Sequence, residues 1–321
     1  MDNESISEKK SKIPDDFFYI VKVNMDISGC KLNFKISDRD LLQLISCDDC
    51  MVKSICFDYK GGRKSVLECI ISTKDLLKTY AFITYELKLL IIKTLLLIKN
   101  VKDLSIDDNI SCAIENEKEA VERDIPIIPY SEKYLELVVE PANIKENEFT
   151  YIMKSFIKNY YRFDDSLFWM YVSYSVIGKS NVKNKFDFIS QYSILWTAFN
   201  AFYSKIYPDK RDREAVEAIA KEEYVKEYFS CILKSPDKCK LLKEFCGETV
   251  VLRKDNNVSK KLEESMEKMD YDGIALNAVL CLYAIRNAVV HGYAKKESKL
   301  CRDAFEILNP LIKLSIINKV K

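Results

Sequence analysis

Seven glycines and seven prolines serve a chain of 321 residues, and that scarcity limits what it can fold into. β-Sandwiches and propellers need a turn residue at the end of every short strand. A doubly wound nucleotide-binding fold needs a glycine-rich turn after its first strand. Neither supply of glycine is present, so long helices with a few hairpins are expected. Composition agrees with a packed protein: 48% hydrophobic and 31% charged residues are globular proportions. At roughly 100–200 residues per domain, the length suggests two domains, each large enough to bury a core.

The pattern along the chain divides at about residue 140. The polar segment 1–13 reads as a disordered tail. Residues 14–140 then read as a mixed α+β domain with a sensing or regulatory role. Aromatic and β-branched residues at 17–23 and the alternating stretch 31–36 suggest a hairpin turning at Ser28-Gly29. A second hairpin is clearer, because Gly61-Gly62 between 55–60 and 63–71 can both take positive φ. Ser72-Thr73-Lys74-Asp75 then offers an N-cap to a helix running through Leu76 towards Lys99. Residues 101–147 are acidic and hold Pro126, Pro129 and Pro141; they read as a linker, with 134–139 as one possible strand and a boundary near Pro141.

From residue 148 to 321 the apolar period becomes helical. Phe149, Ile152, Met153, Phe156, Ile157 and Tyr160 form one stripe, and Leu195, Trp196, Phe199, Phe202, Tyr203 and Ile206 form a wider one. Further helices are expected at 211–233, 236–246, 258–269, 274–291 and 298–318. The fold class is therefore an α+β N-terminal domain followed by an all-α helical bundle.

A net charge of +1 conceals an uneven distribution. Residues 1–150 carry −6 and residues 151–321 carry +7. A mildly basic C-terminal half accommodates a polyanion, although an ordinary solvated surface explains it equally well. The most apolar run, 87–98, is interrupted by Lys88 and Lys93 and is shorter than the roughly 20 apolar residues of a spanning helix. The opening residues lack the apolar core of a secretory signal, so a cytoplasmic protein without membrane contact is expected, its eleven cysteines reduced.

Two metal or phosphate motifs fail on inspection. Gly178-Lys179-Ser180 imitates the end of a phosphate-binding loop, but the glycine required five residues earlier is Ser173. Cys47 and Cys50 have the spacing of a zinc-ligand pair, with Cys56 and Cys69 as weak candidates for the other two ligands. A second close pair is missing, and Cys56 and Cys69 sit in apolar strand-like runs, so no metal and no cofactor is expected.

Chemistry concentrates around the only histidine, His291. It ends the segment Ile285-Arg286-Asn287-Ala288-Val289-Val290-His291-Gly292-Tyr293, whose glycine suits a helix C-terminus. Asn287 and His291 are four apart, about 40° round the helix, so both face one way. Arg286 lies further round, and its long fork can reach the same mouth. A guanidinium, an amide and an imidazole at one helix end can grip a phosphate and move a proton. Lys295, Lys296, Lys299 and Arg302 follow directly, where a polyanion would run. The same residues also fit a plainer use, with His291 against the helix dipole and Arg286 in an ion pair. Upstream, Asn200 falls one turn after Trp196, as either a core specifier or a support for a pocket.

Arg286-Asn287-x₃-His291-Gly292 inside a C-terminal helical bundle resembles the signature of the HEPN superfamily. The helix bearing Leu195, Trp196, Ala198, Asn200 and Tyr203 resembles the matching element of its Apea-like group, so that the likeness spans about 149–318. The resemblance implies a HEPN-like homodimer that brings two Arg/His pairs into one cleft. It also implies a metal-independent endoribonuclease, often of antiviral defence or toxin systems. By that likeness His291 assists attack of the RNA 2′-hydroxyl on the adjacent phosphate, Arg286 stabilises the charged transition state, and Asn287 positions Arg286 or the phosphate. Tyr293 adds a second likeness, to HEPN toxins whose tyrosine is adenylylated by a partner nucleotidyltransferase acting as antitoxin. The alternative is a catalytically inactive HEPN-like bundle that binds RNA or serves as a protein-interaction scaffold. The N-terminal domain lacks the strand–helix alternation of the ligand-sensing domains joined to some HEPN ribonucleases.

Overall fold

The computed structural model describes residues 19–101, 104–106, 110–114, 142–157, 160–178, 185–247, 251–253, 256–290 and 298–320. The expected tail at 1–13 and the expected strand at 134–139 lie outside them, as do Pro126, Pro129 and Pro141.

Alternation builds the first strand. β1 (Tyr19–Ser28) buries Val21, Val23, Met25 and Ile27 and turns Lys22, Asn24 and Asp26 to the other face. Gly29, at φ 94°, ends it, and β2 (Cys30–Leu32) and β3 (Phe34–Lys35) follow. Helix α1 (Arg39–Ile45) starts at Asp38, whose carboxylate accepts from the Leu41 amide at 3.0 Å. β4 (Cys50–Gly61) and β5 (Lys64–Thr73) then form the hairpin expected from the glycine pair, with Gly61 at φ 100° and Gly62 at φ 57°. A bulge between Val52 and Ser54 shifts the alternation by one residue, so that Cys50, Val52, Ile55 and Phe57 all reach the core.

The other hairpin does not form. β1 pairs antiparallel with β5 along its length, from Tyr19 opposite Thr73 to Ser28 opposite Lys64. β5 offers it an unbroken apolar face of Leu67, Cys69 and Ile71, whereas residues 30–36 break into two short strands. The buried Ser65 hydroxyl accepts from the Leu32 amide at 3.0 Å and donates to the Cys30 carbonyl at 2.9 Å, docking β2 through a side chain instead.

Asp75 caps α2 (Leu76–Ala81), which runs through a π-helical turn at Phe82–Leu87 into α3 (Lys88–Leu97). Among its described residues the stretch expected to be a linker, 101–147, contributes three strands, of which the first two are β6 (Ser105–Ile106) and β7 (Ser111–Ile114). Both pair with the free edge of β1, giving the order β3-β4-β5-β1 closed by β6 and β7. β8 (Ala142–Ile144) pairs in parallel with β2.

Helices make up most of the rest: α4 (Glu146–Ile157), α5 (Asp164–Gly178), α6 (Lys185–Ile206), α7 (Asp212–Ala220), α8 (Glu223–Leu233) and α9 (Pro236–Gly247). The small strands β9 (Val251–Arg253) and β10 (Asn256–Asn257) precede α10 (Val258–Glu267), α11 (Tyr271–Val290) and α12 (Ser298–Val320). The single helix expected at 211–233 is two, α7 and α8, broken at Lys221-Glu222. The α+β and then helical layout thus holds.

Packing places α4 differently from its sequence neighbours. Its Phe149 ring lies 5.6 Å from that of Phe34 and 5.2 Å from that of Phe57, in the sheet. Glu146 accepts from the Ser37 amide and hydroxyl at 2.8 and 2.7 Å, and Lys154 pairs with Asp38. The helix expected to open the bundle therefore serves the core of the sheet. Between sheet and bundle runs α3, buried on nearly every side and packed on α4, α5 and α12. Its Lys93 pairs with Asp164 at the start of α5. The two halves share one continuous hydrophobic core.

Candidate functional site

Burial along α11 locates the site. Residues Ile274 to Ile285 supply the core of the bundle, with Ala275, Ala278, Val279, Cys281 and Leu282 fully buried. At Arg286 the helix leaves the core: residues 286–289 are half-buried and Val290 is 59% exposed. Among the described residues α11 is also the one helix long and apolar enough to cross a membrane, and its apolar side is packed against α6, α7, α8 and α10.

Arg286 and Asn287 meet at this exit. Arg286 Nη1 donates to Asn287 Oδ1 at 3.0 Å, which fixes one arm of the guanidinium and leaves its remaining donors in the half-buried mouth. The other residues of the motif, His291, Gly292 and Tyr293, and the basic residues Lys295 and Lys296, lie outside the described residues. His291 follows Val290 directly in the sequence.

Behind Arg286 stands α6, whose aromatic stripe faces α11. The Tyr192 hydroxyl donates to the Leu282 carbonyl at 2.6 Å, and the Trp196 ring lies 5.8 Å from that of Tyr283. Trp196 also meets Phe199 edge-on at 5.3 Å, and Phe199 meets Tyr203 at 5.4 Å. Burial pushes the Tyr192 and Tyr203 phenols well above their ordinary pKa, and the nearby Arg286 charge pulls both partly back. Both phenols stay protonated. The Trp196 Nε1 and Tyr203 hydroxyl are buried near enough to interact, and the indole N–H draws the phenol pKa slightly down, although among the described residues neither makes a well-formed hydrogen bond.

The remaining candidates are more dispersed. Asn200 is half-buried and accepts from the Ser204 hydroxyl, one turn further along its own helix, at 2.9 Å. Lys299 Nζ lies 2.6 Å from Glu244, which raises the ammonium pKa and lowers that of the carboxyl. Arg302 donates from Nε and Nη2 to the buried Asp303 at 3.3 Å. A phosphate at either residue would have to compete with a carboxylate already in place.

The four cysteines weighed as zinc ligands do not converge. Cys50 is opposite Thr73 and Cys69 opposite Ile55, four positions apart on β5 and so about 13 Å. Cys56 faces away from Cys69, which is fully buried. The bulge and the strand alternation put the thiols on different faces, and among the described residues no group of three metal-ligating side chains assembles.

Tyr192, Tyr203 and Tyr283 are the neighbours of Arg286 that the motif did not single out. Tyr192, Trp196, Phe199 and Tyr203 recur at helical spacing, which defines one face without saying what it faces.

No protein family, curated protein or solved structure matches this chain.

Proposed function

We propose that the protein is a metal-independent endoribonuclease of the HEPN type, working as a cytoplasmic homodimer in a defence or toxin system. The observation that supports this most is the tethered Arg286–Asn287 pair at the point where α11 emerges from the bundle, with the only histidine four residues after Asn287. In this reading RNA is the substrate and no cofactor takes part. His291 accepts the proton of a ribose 2′-hydroxyl, the freed oxygen attacks the adjacent phosphorus, and the 5′-oxygen leaves. Arg286 stabilises the extra charge on the phosphoryl oxygens, and Asn287 Oδ1 holds the fork that does so. The products are a 2′,3′-cyclic phosphate and a 5′-hydroxyl. Tyr293, two residues past His291, would be the target of a partner nucleotidyltransferase acting as antitoxin.

Purified protein tested on RNA in EDTA, beside Arg286→Ala and His291→Ala, decides the matter. Cleavage by the wild type and its loss in both variants is the expected result, and equal activity in all three overturns the reading. The second reading is a catalytically silent HEPN-like bundle that serves as a scaffold. It is favoured by apolar side chains exposed along α2 and the turn after it, Leu77 at 83%, Tyr80 at 50% and Tyr85 at 66%. It predicts RNA or partner binding that survives His291→Ala, with no cleavage product under any condition.

A further inference from the structure

Cys47 and Cys50 flank a two-residue turn, Asp48-Asp49, at the start of β4. Their backbones exchange both hydrogen bonds, Cys47 N to Cys50 O at 2.9 Å and Cys50 N to Cys47 O at 3.2 Å. Such a pair holds its Cα atoms about 5.5 Å apart. Disulfides span roughly 4.4–6.8 Å between Cα atoms, so the backbone is already at bonding separation. The two thiols interact directly: burial raises the pKa of Cys50, the Thr73 and Thr79 hydroxyls draw it partly back, and Cys47 adds a smaller push upward. Their exposures differ in a useful way: Cys47 is open to solvent, while Cys50 is buried.

We propose that Cys47 and Cys50 form a reversible redox dithiol that closes into an intramolecular disulfide under a low-molecular-weight disulfide oxidant. The exposed Cys47 thiolate attacks oxidised glutathione and releases one reduced glutathione, leaving a mixed disulfide on Cys47. Cys50 then loses its proton and attacks the Cys47 sulfur, and the second glutathione leaves. Two protein thiols are oxidised and one glutathione disulfide is reduced, with both protons carried off on the glutathione products.

The reduced state is equally well provided for. Cys50 Sγ rests 3.7 Å from the hydroxyls of both Thr73 and Thr79, and those hydroxyls bond each other at 2.7 Å. Neither redox state therefore leaves a buried sulfur stranded, which is what reversibility requires. The turn between the cysteines is also the footing of α2: the Asp49 carbonyl accepts from Thr73 Oγ1 at 3.0 Å and from the Lys74 amide at 3.2 Å. Asp49 Oδ2 accepts from Lys78 Nζ at 2.7 Å. The neighbouring thiols Cys69 and Cys112 lack this geometry. Both residues pair with Val23 from opposite sides, two strand spacings or about 9.6 Å apart.

The proposal is independent of the ribonuclease reading, and its test needs no activity. The full chain is equilibrated in glutathione buffers of graded redox ratio, quenched in acid, alkylated under denaturing conditions and digested with trypsin. Arg39 and Lys53 bound a peptide, 40–53, that contains these two cysteines and no others. It should appear two hydrogens lighter and unalkylated at the oxidising end, and convert to the doubly alkylated form as the buffer becomes reducing. In Cys50→Ser, Cys47 should instead be trapped as the glutathione mixed disulfide. A wild-type peptide that stays doubly alkylated at every ratio, or that accumulates glutathione on Cys47, overturns the proposal.

Discussion

Lys313 Nζ donates to the carbonyl oxygen of Ile98 at 2.9 Å, joining positions 215 apart in the sequence. It also bonds the Val101 carbonyl and lies over the Tyr174 ring at 5.6 Å. Tyr174 in turn donates to Asn309 at 2.7 Å, back on the helix that bears Lys313. The ammonium thus caps the C-terminal end of α3, where carbonyl dipoles favour a cation. Lys313→Met keeps the buried stem and removes the donor. Urea unfolding should show a loss of about 1–3 kcal/mol, the worth of hydrogen bonds from a charged donor, since the Ile98 carbonyl keeps the Val101 amide and the Val101 carbonyl keeps the Tyr174 hydroxyl. An unchanged midpoint would mean that desolvating the ammonium costs as much as its hydrogen bonds return.

Glu222, between α7 and α8, accepts from the Tyr207 hydroxyl at 2.6 Å and from Lys319 at 2.9 Å. Burial alone would raise its pKa, but those bonds outweigh it and the net direction is down from 4.5. A carboxyl whose folded pKa is depressed contributes stability above its unfolded pKa and loses it as pH falls through the folded value. Glu222→Gln should therefore cost about 1–2 kcal/mol at pH 7. The gap from wild type should close as the pH falls below 4.5 and through the depressed folded value. A gap that stays constant across an acid titration would assign the effect to shape instead of charge.

Legibility followed the kind of constraint each residue imposes. Gly61-Gly62 announced its hairpin because two adjacent positive-φ residues have few other uses. α6, α11 and α12 followed from the helical period of their apolar residues, which is a property of each segment alone. What a face packs against is a property of the whole molecule. The apolar side of β1 fits any partner of the same period, and β5 won it by presenting ten residues in register. Phe149 marks an amphipathic helix, yet nothing in its spacing says that the helix joins Phe34 and Phe57 in the sheet. The same limit applied at the site. Arg286 and Asn287 were legible as a motif, whereas Tyr283 and the α6 aromatics around them depend on how two helices cross.

The Tyr203 hydroxyl gives a prediction of unusual sign. It is buried among Trp196, Phe199 and Tyr283, with the Trp196 Nε1 near enough to interact but no well-formed hydrogen bond to it among the described residues. Its desolvation is poorly compensated, so Tyr203→Phe should be neutral or stabilising by up to about 1 kcal/mol. Thermal unfolding would show this as a slightly raised midpoint. A clear loss would reveal that the hydroxyl is held by a partner, with the Trp196 Nε1 the candidate beside it.

On the proposed ribonuclease reading, Asn287 separates a positioning role from a contact with RNA. Its Oδ1 holds Arg286 Nη1 at 3.0 Å, so Asn287→Ala frees one arm of the fork without removing the positive charge. Under single-turnover conditions the cleavage rate should fall about tenfold, or ~1.4 kcal/mol of transition-state stabilisation, with substrate affinity little changed. Arg286→Ala should fall about 10²–10³-fold, the range for losing an electrostatic stabiliser outright. Asn287→Asp keeps an acceptor in place but adds a negative charge that competes with the phosphate for the guanidinium. Its rate should therefore lie below that of the alanine variant and recover in part at higher salt, where exposed charges are screened. Equal rates for wild type and Asn287→Ala would show that the tether does not orient Arg286 for the reaction.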